Sequence, residues 1–398
     1  MSFSKKIVAL IPTALALTLY AYAYAESARE RQAAGAFQQF GRRLEQKQFS
    51  AASRDVERAV GLSPANAYYL ANRGLLHARM LRGKFDAAAF LEDRLAFADD
   101  DLRQIEAAAQ HYEKALALNP LDDSFQHNLG WLYSFLRKRE QALNCFQRAV
   151  SIDGSVALYH LSLGLAYEQR GDRQLADGEY VLAVRLSPAT LDSRFFHDLR
   201  ERSPGAAGRV IAESISHLEE ELRRSPSPVV KGKLGKLYLQ VNSPGAASAM
   251  LKQATAELPN LSRPWYNLGT IYETQGDDTT ARACYEKAVF LDGGDASAWW
   301  RLGNYYDRHH NVRAAARAYT RAVDGWMRMR SEHAGRVLHI YRARSIVTDD
   351  LAPNGFLAYC SPSLNIPEIC QRLAKLYEET GDIGLSSYYE DLSNSLTP

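Results

Sequence analysis

The adjacent histidines of RHHNV, His309 and His310, and the acidic run Asp99, Asp100, Asp101 in LAFADDDLRQ are the groups in this 398-residue chain that could hold a metal ion. Neither has the spacing that such chemistry needs. Adjacent residues at a helix end face different ways, and no further ligand stands at a zinc-like interval from the histidines. The acidic run lacks the alternating positions and the distal glutamate of a calcium loop, so capping of the helix that follows is the simpler role for one of its members. H-E-x-x-H, G-x-S-x-G, the phosphate-binding glycine loop and C-x-x-C are all absent from the sequence. Glu332, His333, His339 and Asp349 stand at no spacing that names a reaction. The sequence therefore predicts no catalytic residue, no metal and no cofactor, with an enzyme sited between residues 331 and 370 as the opposing reading.

The four cysteines divide into two pairs. Cys145 and Cys284 each sit just before a helix aromatic and read as partly buried free thiols. Cys360 and Cys370 flank SPSLNIPEI, and in an oxidising compartment a disulfide between them would pin that loop, two unpaired thiols being the alternative.

With 46% apolar and 24% charged residues the chain can bury a large core, and a net charge of +2 offers no electrostatic argument for a nucleic-acid partner. The N-terminus stands apart: two lysines, an apolar run from Ile7 to Leu19, and small residues spaced as Ala23-x-Ala25. Residues 1–25 read as a secretory signal peptide, or as an uncleaved anchor, since Ile7 to Ala25 is long enough to cross a bilayer. Arg29, Arg31, Arg42, Arg43 and Lys47 follow the run and leave its orientation open. The expected location is the exported side, in the periplasm or cell envelope, with anchoring to the inner membrane by residues 7–25 as the alternative.

What must position any site is a repeat. Trp265, Leu268, Gly269 and Tyr272 recur as Trp299, Leu302, Gly303 and Tyr306, each displaced by 34 residues, and Ala281, Tyr285 and Ala288 recur as Ala315, Tyr319 and Ala322. The same slots hold Leu234, Gly235, Tyr238, Ala247, Ala254 and Pro259 one period earlier. Leu129, Gly130, Tyr133, Ala142, Phe146 and Ala149 likewise precede Leu163, Gly164, Tyr167, Ala176, Tyr180 and Ala183 by 34. Residues 189–227 have room for a degenerate unit, insertions fall near 82–105 and 331–370, and a final unit opens at Leu373, Ala374 and Tyr377. Apolar positions at i, i+3, i+4 and i+7 predict helices, small residues at the Gly269 and Ala281 slots let paired helices approach, and Pro64, Pro120, Pro188 and Pro259 stop the second helix of a pair.

This pattern resembles the tetratricopeptide repeat family over nearly all of residues 30–398. The resemblance implies an all-α superhelical solenoid of about eight to nine stacked antiparallel helix pairs, some degenerate, with a concave groove that holds a peptide or helix of a partner protein. Counted from each Leu–Gly pair, the groove-facing slots would carry Asn72, His127, Asn128, Trp131, Lys233, Lys236, Tyr266, Asn267, Thr270, Trp300, Arg301, Asn304 and Arg308. Trp265 and Trp299 fill the repeat's own large-apolar slot. One subfamily clamps a partner's C-terminal carboxylate; Asn267 and Arg301 match its pattern, but Gly232 and Ser297 stand where it needs lysines. The expectation is thus a basic, polar pocket near Lys236, Asn267 and Arg301 with its ligand unnamed. A further stretch, ALNPLDDSFQHNLGWLY to VRLSPATLDSRFF, is similar to repeat modules of bacterial O-antigen-ligase-type proteins and implies an accessory role in surface-polysaccharide assembly. The leading reading is a non-catalytic protein–protein interaction scaffold that meets the membrane only through its N-terminal segment; self-association through the array's ends is a third.

Overall fold

The computed structural model describes residues 24–44, 48–79, 97–336 and 364–396, together with residues 46 and 91. The expected all-α architecture of stacked helix pairs is what forms, and the described residues contain no strand.

The helices fall into two compact units. The first holds α1 (residues 24–44), α2 (Phe49–Leu62), α3 (Ala67–Arg79), α4 (Asp99–Leu118), α5 (Asp123–Phe135) and α6 (Arg139–Ile152). The second begins with α7 (Ala157–Arg170), α8 (Arg173–Leu186), a short 3-10 turn (Pro188–Asp192), α9 (Arg194–Arg202) and α10 (Pro204–Arg224). It continues through α11 (Pro228–Gln240), α12 (Pro244–Glu257), α13 (Ser262–Thr274), α14 (Asp278–Leu291), α15 (Ala296–Arg308), α16 (Val312–Arg336, of which the part up to His333 belongs to this unit), α17 (Ile366–Glu379) and α18 (Ile383–Leu396).

Local chemistry sets the helix ends. Second helices α2, α4, α8 and α12 finish at Leu62, Leu118, Leu186 and Glu257, two residues ahead of Pro64, Pro120, Pro188 and Pro259. The residue before each proline takes φ near −137°, outside the helical region, because the proline ring excludes the α conformation there. Two first helices, α5 and α15, open on aspartate caps: Asp122 accepts from the Phe125 amide at 3.0 Å, and Asp295 accepts from the Ala298 amide at 3.1 Å. The acidic run Asp99 to Asp101 departs from expectation. Ala98 is the cap of α4, and the three carboxylates occupy its first turn, where they face the positive end of the helix dipole instead of capping it.

Within each pair the small slot brings the helices together. A Cβ at Gly269 would lie 2.6 Å from the Tyr285 ring, and one at Gly303 would lie 2.4 Å from the Tyr319 ring. The glycines are what let each aromatic ring press onto the opposite backbone. Every such ring, being buried, contributes about 1.5–3 kcal/mol of apolar transfer energy. Between pairs the seam continues. Ala281, Tyr285 and Ala288 share a cluster with Leu302 and Ala318, while Ala315, Tyr319 and Val323 pack with Ile366, Ile369 and Leu373.

Several expectations meet the edges of the described residues. Residues 99–105, assigned by spacing to an insertion, are the first turns of α4, and 331–336 extend α16. Glu332 and His333 fall on that extension, whereas His339, Asp349 and Cys360 lie outside the described residues. So do residues 1–23 of the N-terminal segment; among the described residues no helix is long and apolar enough to cross a membrane. The expected disulfide therefore has one member outside the described residues; Cys370 itself is a free thiol, fully buried with Ile366, Ile369 and Leu373. Its slot points into the seam between pairs, and burial raises its pKa to about 11, so it is an inert apolar side chain. Cys145 and Cys284 are buried free thiols, as their slots predict.

Candidate functional site

Thirteen positions were expected to line one face, and the two units treat them differently. In the first unit Asn72, His127, Asn128 and Trp131 are all interior, none more than 3% exposed. Trp131 donates its indole N–H to His127 Nε2 at 3.2 Å and packs edge-on to Phe146, and Asn72 donates to the Tyr68 carbonyl at 2.8 Å. The correction has a simple origin. Counting slots finds the side of α5 away from its own second helix, but every residue from Ser124 to Phe135 is buried, so α5 has no open side. Burial also holds the His127 imidazole neutral, with its pKa down to about 3.

In the second unit the first helices α11, α13, α15 and α17 belong to consecutive pairs, and the remaining nine positions lie on α11, α13 and α15. Tyr266 and Trp300 are half-buried in equivalent slots. Arg263 lies over the Tyr266 ring at 5.6 Å, and Arg301 lies over the Trp300 ring at 4.8 Å. Thr270 is spent on its own helix, donating to the Tyr266 carbonyl at 3.2 Å.

The cations on this face are matched by acids of the same chain. Arg301 and Arg308 donate to opposite oxygens of Glu273 at 3.2 and 3.1 Å. Lys236 donates to Asp192 at 2.7 Å, and Arg372 of α17 grips Asp307 through two bonds of 2.7 and 2.6 Å. The Arg372 bonds hold the Asp307 carboxyl below its usual range, against the opposing effect of partial burial. Tyrosines of the second helices complete the pattern: Tyr285 donates to Glu273 at 2.7 Å, and Tyr319 to Asn304 Oδ1 at 2.7 Å. In the α7/α8 pair, Glu168 accepts from Tyr180 at 2.6 Å and from Arg202 at 3.1 Å. The pocket expected to be basic is therefore charge-balanced.

Two side chains escape that ladder. Asn267 is 6% exposed, and its amide has no hydrogen-bond partner among the described residues. Lys233, the same slot one pair earlier, makes no hydrogen bond or ion pair among them, and its half-buried ammonium has its pKa lowered by burial. An amide and an ammonium in equivalent slots of successive first helices, with Glu221 acting on Lys233 only as a charge and not as a bonded partner, offer bonds to a carbonyl or carboxylate brought from outside.

The slot arithmetic passed over Glu273, Asp307, Arg263 and Arg372. A signal existed: Glu273 and Asp307 each stand four residues past the repeat glycine, one helical turn below Thr270 and Asn304 on the same face. Elsewhere in the second unit, a cavity of about 380 Å³ between α8 and α9–α10 is faced by two internally paired sets, Arg202 with Glu168 and Arg209 with Asp177. Among the described residues one group, His197, Asp198 and Glu201, brings candidate metal-ligand atoms within 4.8 Å of one another, on the solvent side of α9. His309 and His310 are exposed at the end of α15, where His309 stacks on Tyr305.

The model of the tetratricopeptide repeat matches residues 124–155 and 262–294, α5/α6 and α13/α14 with the turns that follow them. The chain carries tetratricopeptide repeats. Among curated proteins, this tetratricopeptide array is 25% identical over 259 residues to Superkiller complex protein 3 of Homo sapiens, covering 61% of this chain and 15% of that one. It is 24% identical over 233 residues to BBSome complex member BBS4 of Bos taurus, covering 55% of this chain and 43% of that one. The matched region spans less than half the length of either relative. Among solved structures, YrrB, described as a TPR protein with an unusual peptide-binding site, aligns with a TM-score of 0.24 and 18% identity over 59% of this chain and all of that one. A tetratricopeptide repeat protein from Parabacteroides merdae ATCC 43184 aligns with a TM-score of 0.35 and 14% identity, covering 78% and 98%.

Proposed function

We propose that this chain is a non-catalytic interaction scaffold whose second unit holds an extended segment of a partner protein along α11, α13 and α15. Stacked helical repeats serve widely as protein-binding frames, and both curated relatives carry names that make them components of larger complexes. The observation that carries the reading is Asn267, nine-tenths buried with its amide unspent. An amide with no bond among the described residues can exchange water for the carbonyl and N–H of a bound backbone, satisfying both its donors and its acceptor. Lys233 supplies a cation in the same slot of the preceding first helix, and the half-buried faces of Tyr266 and Trp300 supply the aromatic anchors that dominate such interfaces.

The test is selection of binders from a displayed library of unstructured peptides, followed by titration against substituted arrays. Asn267→Ala and Lys233→Ala should each weaken a selected peptide by about tenfold, near 1.4 kcal/mol, with the helical content unchanged. Binding that survives both substitutions removes this face from the account. The basic, apolar start of the sequence extends the proposal to the cell envelope. An intact mass from native cells short by residues 1–25 is the expected result, whereas a full-length mass in the soluble fraction ends that part of the reading.

A further inference from the structure

Trp265 donates its indole N–H to the Pro259 carbonyl at 3.0 Å, and Trp299 donates to the Gly293 carbonyl, also at 3.0 Å. Each acceptor lies six residues upstream, in the turn that delivers the chain to the helix. The slot three residues before the repeat leucine thus ties its own entry turn to the first helix. In α7 this slot belongs to His160, and the same bond recurs: His160 Nε2 lies 3.0 Å from the carbonyl of Gly154, again six residues upstream.

The equivalence settles which ring nitrogen carries hydrogen. A carbonyl only accepts, so Nε2 must donate, as the indoles do. The other nitrogen, Nδ1, lies 2.6 Å from Glu179 Oε2 on α8. Neutral imidazole has one N–H, and Gly154 has used it; a lone pair on Nδ1 would then face an oxyanion at hydrogen-bond distance. The contact requires a second proton, making the ring an imidazolium paired with a carboxylate. The ring is 4% exposed and the carboxylate side chain 18%, so little water screens the pair. Nineteen residues beyond Trp265 and Trp299, where Glu179 stands relative to His160, are Cys284 and Ala318, which bring no charge.

Glu179 is the charged group that faces the ring from α8. The turn contributes Asp153, whose carboxylate accepts from the Ser155 amide at 2.9 Å and hydroxyl at 2.6 Å, and α9 places Arg202 at the far end of α7, on Glu168. Burial by itself lowers the imidazole's pKa, but the bonds to Glu179 and Gly154 and the Glu179 charge outweigh it and leave the value above that of an ordinary histidine.

We propose that His160 and Glu179 form a proton-operated latch that ties the 153–156 turn, held by Nε2–H, to α8, closed while Nδ1 is protonated and opened at Glu179 when that proton leaves to solvent. A raised folded-state pKa fixes the sign. The latch contributes its full stability below the unfolded histidine value of about 6.5, and loses it as pH rises through the folded-state value.

The experiment follows thermal unfolding and amide protection from about pH 5.5 to about pH 9 in the full chain and two variants. His160→Trp restores the indole used elsewhere in the array and keeps the Gly154 bond without a titrating group. Glu179→Gln lets an amide donate to neutral Nδ1. The expected result is a fall of about tenfold in the protection of residues 153–156 across this range in the natural chain, with both variants flat. Parallel pH profiles in all three, or an unchanged turn in the natural chain, overturn the latch. Should His160→Trp fail to fold, the comparison with Glu179→Gln decides alone.

Discussion

Tyr285 donates its phenolic hydrogen to Glu273 at 2.7 Å across one helix pair, and the same carboxylate receives Arg301 and Arg308 from the next pair. A single side chain therefore closes its own repeat and fastens the following one. Replacing it leaves a buried phenol and a largely buried guanidinium without their acceptor. Glu273→Ala should lower unfolding free energy by about 1–3 kcal/mol, measured by urea titration of the array. An unchanged midpoint would show that the ladder is ornamental to stability. Because the substitution also frees Arg301, while Arg308 keeps Asp278 at 3.7 Å, tighter binding of acidic peptides should accompany the loss.

The turns inside the helix pairs offer a gain in place of a loss. Gly171, Gly276 and Gly381 take positive φ there, and Arg137, Asn242 and His310 do the same without being glycine. An L side chain in that region costs roughly 1–2 kcal/mol, least for asparagine. His310→Gly and Arg137→Gly should each raise stability by up to about 1 kcal/mol, net of the added chain entropy. Asn242→Gly should gain less. His309→Gly is the control, since His309 lies at φ −96° and glycine there should only destabilise.

Acid should open the distal end of the second unit through Asp307. Its carboxyl is held below the ordinary range by Arg372, so the pair contributes stability above the unfolded carboxylate value of about 4 and loses it as pH falls through the lower folded value. Arg372→Gln should move the acid unfolding transition to higher pH, read by the circular dichroism of the helices. A transition that stays in place would mean that other carboxylates govern acid unfolding.

How much of this could be read from the sequence depends on what kind of constraint each residue meets. The period, the Gly269 and Ala281 slots and the prolines were legible because each answers to backbone geometry or to a ring pressed on a neighbouring helix, which only a few residue types satisfy. The charge ladder was not. Glu273 and Asp307 are ordinary helix-surface residues by type, and their role arises from Arg301, Arg308 and Arg372 in other repeats at varying distances along the chain. The burial of His127, Asn128 and Trp131 was equally hidden, since a slot defines a direction from the helix axis but says nothing of what stands there. His160 is hidden for the opposite reason: it occupies the slot that Trp265 and Trp299 fill in later repeats, and nothing in its spacing marks the ring as one that titrates.

The second helices that stop two residues ahead of a proline have one more property. Their length is decided by a steric clash between adjacent residues, with no distant part of the molecule involved. A segment leaving the ribosome therefore already knows where its helix must finish, before the next segment exists to lean on it. An array assembled from such self-terminating pieces can grow one pair at a time without revising the piece behind.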